Sequence, residues 1–202
     1  MIQTYWQVVV ESTPIIKDRI IEIITSPVNN PEMLWLLAPL LLTLFLMELY
    51  FGRYKEEELG WNTAFGNVLV LIFVSAYLAN HIYQNALITD PIKVSIAATV
   101  IFMGLILMLI DFFHLLPKKI AFQISSKLPI NYMAFVAIIL VYTDIAIDRF
   151  TTIAFSLILI ALSIFIGLVH ILIPKVRDRI MPPAPKPTKN KKISAPDYKE
   201  ST

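Results

Sequence analysis

The stretch "IKVSIAATVIFMGLILMLIDFFHLL", residues 92–116, decides the fold class of this chain. It contains three residues that can carry a charge, Lys93, Asp111 and His114, and all three lie towards its ends. A helix needs about 20 predominantly apolar residues to cross the hydrocarbon core of a bilayer. This stretch is long enough, so it predicts a transmembrane helix.

Four further stretches are also predominantly apolar and of similar length: residues 33–51, 62–83, 130–147 and 152–173. Capping signals precede the first and the third of the five. Asn30 and Asp90 are residues that cap helices well, and each is followed by a proline, Pro31 and Pro91, which suits the first helical position. The sequence therefore predicts five membrane helices.

The turn between the fourth and fifth stretches carries no glycine or proline. Residues 130–173 would measure about 66 Å as one helix, at a rise of 1.5 Å per residue. That length is about twice the thickness of a bilayer core. The chain must therefore reverse, and we expect the reversal near residues 148–151.

The composition agrees with a membrane protein. Of the 202 residues, 57% are hydrophobic and only 16% are charged, with a mean hydropathy of +0.70, whereas soluble domains have about 25% charged residues. We therefore predict an all-α, polytopic integral membrane protein. The chain contains no cysteine, which excludes disulfides, thiolate nucleophiles and cysteine-ligated metal centres.

Residues 1–32 precede the first span and contain "STPIIKDRIIEIITSP", residues 12–27. Thr13 can cap a helix that begins at Pro14. The isoleucines that would share one face of this helix are Ile15, Ile16, Ile20, Ile23 and Ile24. This pattern predicts an amphipathic helix that either lies in the membrane interface or packs on the protein's own helices. The segment "KKIAFQISSK", residues 118–127, is a candidate for a shorter interfacial segment.

The basic residues predict the orientation. Of the 17 lysines and arginines, thirteen fall on one side of the five spans and four on the other. Because lysine and arginine prefer the cytoplasmic side, we expect a multi-pass protein of the cell membrane with its N-terminus outside and its C-terminus in the cytoplasm.

Residues 174–202 form a tail rich in proline and lysine, whose composition predicts disorder. Its basic cluster is expected to contact anionic lipid headgroups or a partner protein, and its members are Lys186, Lys189, Lys191 and Lys192. The tail lacks the interleaved aromatic residues that nucleic-acid binding would require, so no nucleic acid is expected.

Ionisable side chains inside membrane spans are candidates for function. With the predicted orientation, four lie near the cytoplasmic end: Glu48, Asp111, His114 and His170. Three lie near the opposite end: His81, Asp144 and Asp148. None lies at the bilayer centre, which disfavours an ion path. Asn67, inside the second span, needs a hydrogen-bond partner.

The cytoplasmic-end residues have two interpretations. Asp111 and His114 share a helix face, and His170 lies at similar depth on another span. Asp111 could orient His114 or help bind a metal, and the two histidines could ligate a haem. Alternatively, these side chains extend to the headgroups or cap neighbouring helices. We expect the second arrangement, without a cofactor.

The opposite end also has two interpretations. Asp144 and Asp148 are four residues apart and are expected on one helix face. If the second and fourth spans are neighbours, His81 and Asn80 could join them as acid, base or metal ligands, as in an intramembrane hydrolase. Alternatively, Asp148 caps the next helix or pairs with Arg149 in the turn. Asp144 is the residue for which we most expect a buried partner.

Three function classes follow. The favoured one is a non-catalytic, membrane-embedded subunit or scaffold that works by contact with lipids, other membrane subunits or further copies of itself. Polar residues confined to the span ends and the absence of a catalytic motif support it. The segment "YKEEELGWNTAFGN", residues 54–67, is a candidate docking surface. The alternatives are a small oligomeric transporter or channel, and a membrane enzyme or cytochrome that uses the interfacial aspartates and histidines.

Overall fold

The computed structural model describes residues 2–53 and 60–173. In these ranges the chain forms seven α-helices and one short 3-10 turn, and no strand occurs. The helices are α1 (Ile2–Asn29), α2 (Pro31–Arg53), α3 (Trp61–Gln84), α4 (Pro91–Phe113), α5 (Lys118–Ile124), α6 (Lys127–Tyr142) and α7 (Arg149–Leu172), and the 3-10 turn is Leu87–Thr89. The predicted tail, with its four lysines, lies outside the described residues.

Five segments are long and apolar enough to cross a membrane. Four are α2, α3, α4 and α7, and the fifth is formed by α5 and α6 together, Lys118–Tyr142. The shortest have 23 residues, which is about 35 Å of helix and sufficient for a hydrocarbon core of about 30 Å. The prediction of an all-α polytopic membrane protein is therefore confirmed.

Helix α6 lies at the centre of the bundle and contacts α2, α3 and α4. Its fully buried residues include Ile130, Ile138 and Ile139. The most extensive helix pair is α3 with α4, and Gly104 permits their close approach. A Cβ at this position would lie only 3.2 Å from the Cβ of Leu71 on α3.

The predicted start of α4 is confirmed, but its predicted end is too late. Asp90 caps the helix, since its Oδ1 accepts hydrogen bonds from the backbone N–H groups of Ile92 and Lys93 at 3.0 and 3.2 Å. At the other end, His114 adopts a left-handed conformation with φ 54°. This conformation ends the helix at Phe113, three residues before the predicted boundary.

The predicted boundary between the fourth and fifth spans is wrong. Helix α6 ends at Tyr142, and Thr143 is already extended, with φ −121° and ψ 167°. Residues 143–148 form the connection. Asp148 caps the start of α7, because its Oδ1 accepts a hydrogen bond from the Thr151 N–H at 2.8 Å. The reversal therefore starts five residues before the predicted position.

Helix α1 is longer than predicted. It runs from Ile2 through both Pro14 and Pro27, so Thr13 does not cap it. A proline in a helix interior removes one backbone hydrogen bond and crowds the carbonyl four residues before it, yet the residues before Pro14 continue the helix. The helix packs on α7 and α2, which matches the second of the two predicted arrangements; whether α1 also touches the membrane interface stays a prediction.

The isoleucine face predicted for α1 is divided between core and surface. Ile23 is completely buried and joins the hydrophobic core, and Ile20 packs against that core. Ile15 and Ile24 are exposed. Helix α1 therefore buries one narrow stripe against the bundle and leaves other apolar residues on its outer surface.

Candidate functional site

Polar side chains gather at both ends of the bundle. At one end, named here the Lys93 end, α2, α4 and α7 begin and α3 and α6 end. At the other, the Asp111 end, α4 and α7 end and α3 and α5 begin. The described central turns of α2, α3, α4, α6 and α7 contain no Asp, Glu, Lys, Arg or His.

The Lys93 end is organised by one ion pair. Lys93 Nζ donates a hydrogen bond to Asp144 Oδ1 at 2.8 Å. The lysine side chain is only 10% exposed, whereas that of Asp144 is 97% exposed. The hydrogen bond from Lys93 and its positive charge lower the pKa of Asp144 below the usual carboxyl value. Asp144 thus has a buried partner, although it lies in the connection after α6 and not within that helix.

Next to this pair, an aromatic stack lines a polar pocket. The rings of His81 and Tyr142 are stacked, with centroids 3.7 Å apart and planes 22° apart. Glu32 Oε2 lies 3.8 Å from His81 Nδ1. The pocket has a volume of about 530 Å³, and Lys93 and Asp144 also line it. The structure therefore brings His81 and Asp144 into one site, as the sequence suggested.

Asp148 does not belong to that pocket. Its Oδ1 caps α7, and its Oδ2 lies 3.8 Å from Arg19 of α1. The hydrogen bond from the Thr151 N–H, together with the charge of Arg19, lowers the pKa of Asp148. The predicted pairing of Asp144 and Asp148 on one helix face is wrong, because it required α6 to continue to residue 147. The two carboxylates have separate partners and do not form an acid–base pair.

The Asp111 end differs, because its polar groups are buried. Asp111 is 1% exposed, and within the described residues neither of its carboxylate oxygens has a hydrogen-bond partner. The buried Ser125 Oγ also lacks one. Asn67 is 1% exposed, and its Nδ2 donates to the Ser125 carbonyl oxygen at 2.8 Å. We name Asn67, Asp111 and Ser125 the Asp111 cluster.

The two histidines at this end have different partners. The His114 ring lies against Trp61, with centroids 4.1 Å apart. His170 Nε2 lies 2.9 Å from the Glu48 carbonyl oxygen and 3.2 Å from Glu48 Oε2. Gly52 leaves the space for this contact, because a Cβ there would lie 2.8 Å from His170 Cδ2. The structure thus gives the two histidines different protein partners.

Across residues 2–53 and 60–173, no group of three or more histidine, aspartate or glutamate side chains is arranged to hold a metal ion.

The sequence missed three residues that the structure makes prominent. Lys93 was counted only for orientation, although a lysine inside a membrane span needs a counter-ion. Tyr142 is an ordinary aromatic residue at a helix end, and its stacking depends on α3 being the neighbour. Ser125 carries no local signal, because its burial follows from how the α5–α6 junction packs on α3 and α4.

Comparison with known proteins adds no family or homologue. No protein-family model, no curated protein and no solved structure matches this chain.

Proposed function

We propose that this chain is a non-catalytic, membrane-embedded subunit that holds a transmembrane helix of a partner subunit. The binding surface is an apolar groove between α4, α6 and α7, with a volume of about 950 Å³. We name it the α6 groove. One observation carries the proposal: the regular helical spacing of the residues that line this groove.

Helix α6 forms the floor of the α6 groove with one continuous face, which consists of Leu128, Pro129, Tyr132, Met133, Val136, Ala137 and Leu140. Their spacing alternates between one and three residues, and residues three or four apart lie on the same side of a helix. The face is about 18 Å long. The wall formed by α4 repeats this spacing from Pro91 to Val100.

Such surfaces suit a second helix. Rows of side chains spaced three and four apart form the ridges and grooves into which another helix packs. Contacts between transmembrane helices are also enriched in small and hydroxyl-bearing residues, and Ser95, Thr99 and Ser163 line this groove. The Thr99 and Ser163 hydroxyls already donate to their own helix backbones, each at 2.8 Å. A partner helix therefore needs no polar side chain to satisfy them and can be apolar.

The other function classes have less support. A transporter or channel needs polar groups along its path, and the described central turns offer no ionisable side chain. For an enzyme, the pairs considered from the sequence are separated, because Asp144 and Asp148 have different partners, as do His114 and His170. His81 and Asp144 line one pocket, but Asp144 there is held by Lys93. The subunit proposal requires neither.

For orientation, we propose that the Lys93 end faces the outside of the cell membrane and the Asp111 end faces the cytoplasm. The distribution of lysine and arginine supports this proposal. We propose in addition that the lysine-rich tail contacts anionic lipids or the partner at the cytoplasmic surface.

Site-specific photo-crosslinking tests the proposed function. A photoreactive phenylalanine analogue replaces Met133, on the floor of the α6 groove, in the full chain in its native membrane. The matched control carries the analogue at Phe73, an exposed residue of α3. We expect a discrete protein adduct from position 133 and none from position 73.

The mass of the adduct separates the occupants. An adduct with the mass of this chain plus a different protein supports the partner subunit. An adduct with twice the mass of this chain would assign the groove to a second copy and overturn the proposal of a different subunit. Lipid adducts alone at both positions would overturn the proposal that the groove binds a helix.

A further inference from the structure

The Asp111 cluster contains a carboxyl group that has no hydrogen-bond partner among the described residues. Both Asp111 oxygens and the Ser125 hydroxyl are buried without hydrogen-bond partners in the part of the chain that the structure describes. An ionised carboxylate that is removed from water is stable only when a positive charge or several hydrogen-bond donors accompany it. The cluster therefore requires a neutralising group that the protein's own described side chains do not supply.

The cluster is held in a defined position by three elements. Asp111 lies in the last turn of α4, just before the left-handed His114 ends that helix. Ser125 ends α5, where its N–H donates to the Ala121 carbonyl. Asn67 fixes Ser125 to α3 through its 2.8 Å hydrogen bond. Because these contacts restrain the serine and the aspartate independently, the two buried oxygen-bearing groups form a built site.

Among the described residues, two groups act on the Asp111 carboxyl: the Ser125 hydroxyl, which is a hydrogen-bond donor, and His114, which acts through its charge. His114 also lies against Trp61. No described lysine or arginine forms an ion pair with Asp111. Among the described residues, the Asp111 carboxyl thus has one neutral hydroxyl and one titratable neighbour, His114, which lies just after the end of α4.

We propose that Asp111 and Ser125 form a binding site for one small cation, either a proton or a sodium ion, with Asn67 as the positioning residue. Oxygen-only donor sets suit hard cations. One carboxylate balances one positive charge, and an isolated ionisable residue within a membrane span is typical of ion or proton sites. This site is independent of the α6 groove, so either proposal can fail without the other.

The two cations predict different responses of stability. If Asp111 holds a proton, the folded protein loses stability as the pH rises and that proton is lost. If it holds sodium, added sodium stabilises the folded protein by mass action at alkaline pH. In both cases the response must disappear when Asp111 no longer carries a charge.

Thermal unfolding of the purified full chain in lipid nanodiscs tests the proposal. The Tm is measured at neutral and alkaline pH, in sodium chloride and in choline chloride at equal ionic strength. The variants are Asp111→Asn and, as a matched control, Asp144→Asn, which removes an exposed carboxylate at the other end of the bundle. Since Asp144 is stabilised in its charged form, its own contribution is lost towards acid pH, opposite to a proton-binding Asp111.

We expect the wild-type Tm to respond either to sodium or to alkaline pH, with Asp144→Asn retaining that response and Asp111→Asn losing it. A sodium response identifies the metal ion, and a response to alkaline pH alone identifies the proton. Should Asp111→Asn fail to fold, Ser125→Ala serves as the second variant. We expect it to displace the half-maximal sodium concentration several-fold, or to shift the midpoint of the pH response. Identical responses of wild type and Asp111→Asn to both variables would overturn the proposal.

Discussion

The two ends of the bundle treat buried charge in opposite ways. At the Lys93 end, a buried ammonium group reaches a carboxylate that is almost fully exposed, so the charge is compensated where water is available. At the Asp111 end, a carboxylate is buried with an unpaired hydroxyl and no compensating charge among the described residues. The comparison teaches that polar residues at similar positions along membrane helices can have different roles. The groups that contact each residue determine its role.

The largest expected effect concerns which end faces the outside. The chain has no cysteine, so a single introduced cysteine reports its own location. Ala86 and Lys119 are exposed residues at the Lys93 end and the Asp111 end, respectively. We expect an impermeant thiol reagent to label Ala86→Cys in intact cells and to leave Lys119→Cys unlabelled until the membrane is opened. The reverse labelling would contradict the proposed orientation of both ends.

The next largest effect is a difference in stability between variants at the two ends, where one asparagine side chain is buried and the other is exposed. Asn67→Ala removes the donor to the Ser125 carbonyl and leaves a buried acceptor unsatisfied. Such a loss costs about 1–3 kcal/mol of unfolding free energy. Asn80→Ala at the Lys93 end is the control, because Asn80 is exposed and accepts a long 3.4 Å hydrogen bond from Gln84 one turn away; such surface changes are usually within about 0.5 kcal/mol. Equal losses of stability in reversible unfolding experiments would mean that the Asp111 end is not more rigidly built.

The smallest effect concerns the exposed ion pair. Asp144→Asn should destabilise the protein by no more than about 1 kcal/mol at neutral pH, because solvent screens an exposed pair. Since Lys93 lowers the pKa of Asp144, the contribution is present above the usual carboxyl pKa and is lost as the pH falls through the lowered value. Wild type should therefore lose more stability than Asp144→Asn between neutral and acid pH.

A Lys93→Met variant is the control for this pair. It removes the buried charge, so the further change Asp144→Asn should then have almost no effect on unfolding. A large effect of Asp144→Asn in the Lys93→Met background would show that Asp144 acts through another group.

The membrane helices could be predicted from the sequence because their signal is local. Residues 92–116 are apolar over a length that only a membrane span requires, and the Asp90-Pro91 pair marks the start of α4 correctly. Helix ends were less predictable. His114 adopts the left-handed conformation that glycine usually provides, and α6 ends at Tyr142 without a glycine or proline. Neither position carries a recognisable stop signal.

The candidate sites were predictable only in part. Asp111, His81 and Asp144 stand out because ionisable residues in membrane spans are rare. Their partners depend on which helices become neighbours, and that is a property of the tertiary structure. The pairing of Asp144 with Lys93 joins the α6–α7 connection to α4, and the position of Ser125 depends on its contact with Asn67 of α3.

The packing of α1 on α7 sets an order for assembly in the membrane. Helix α1 is the first described helix to be synthesised, and its extensive contact with α7, including the approach of Arg19 to Asp148, involves the last. During translation α1 therefore has no α7 to dock on until the rest of the described bundle has been made. Its docking is a late step, and it joins the two termini of the bundle once all five membrane segments are present.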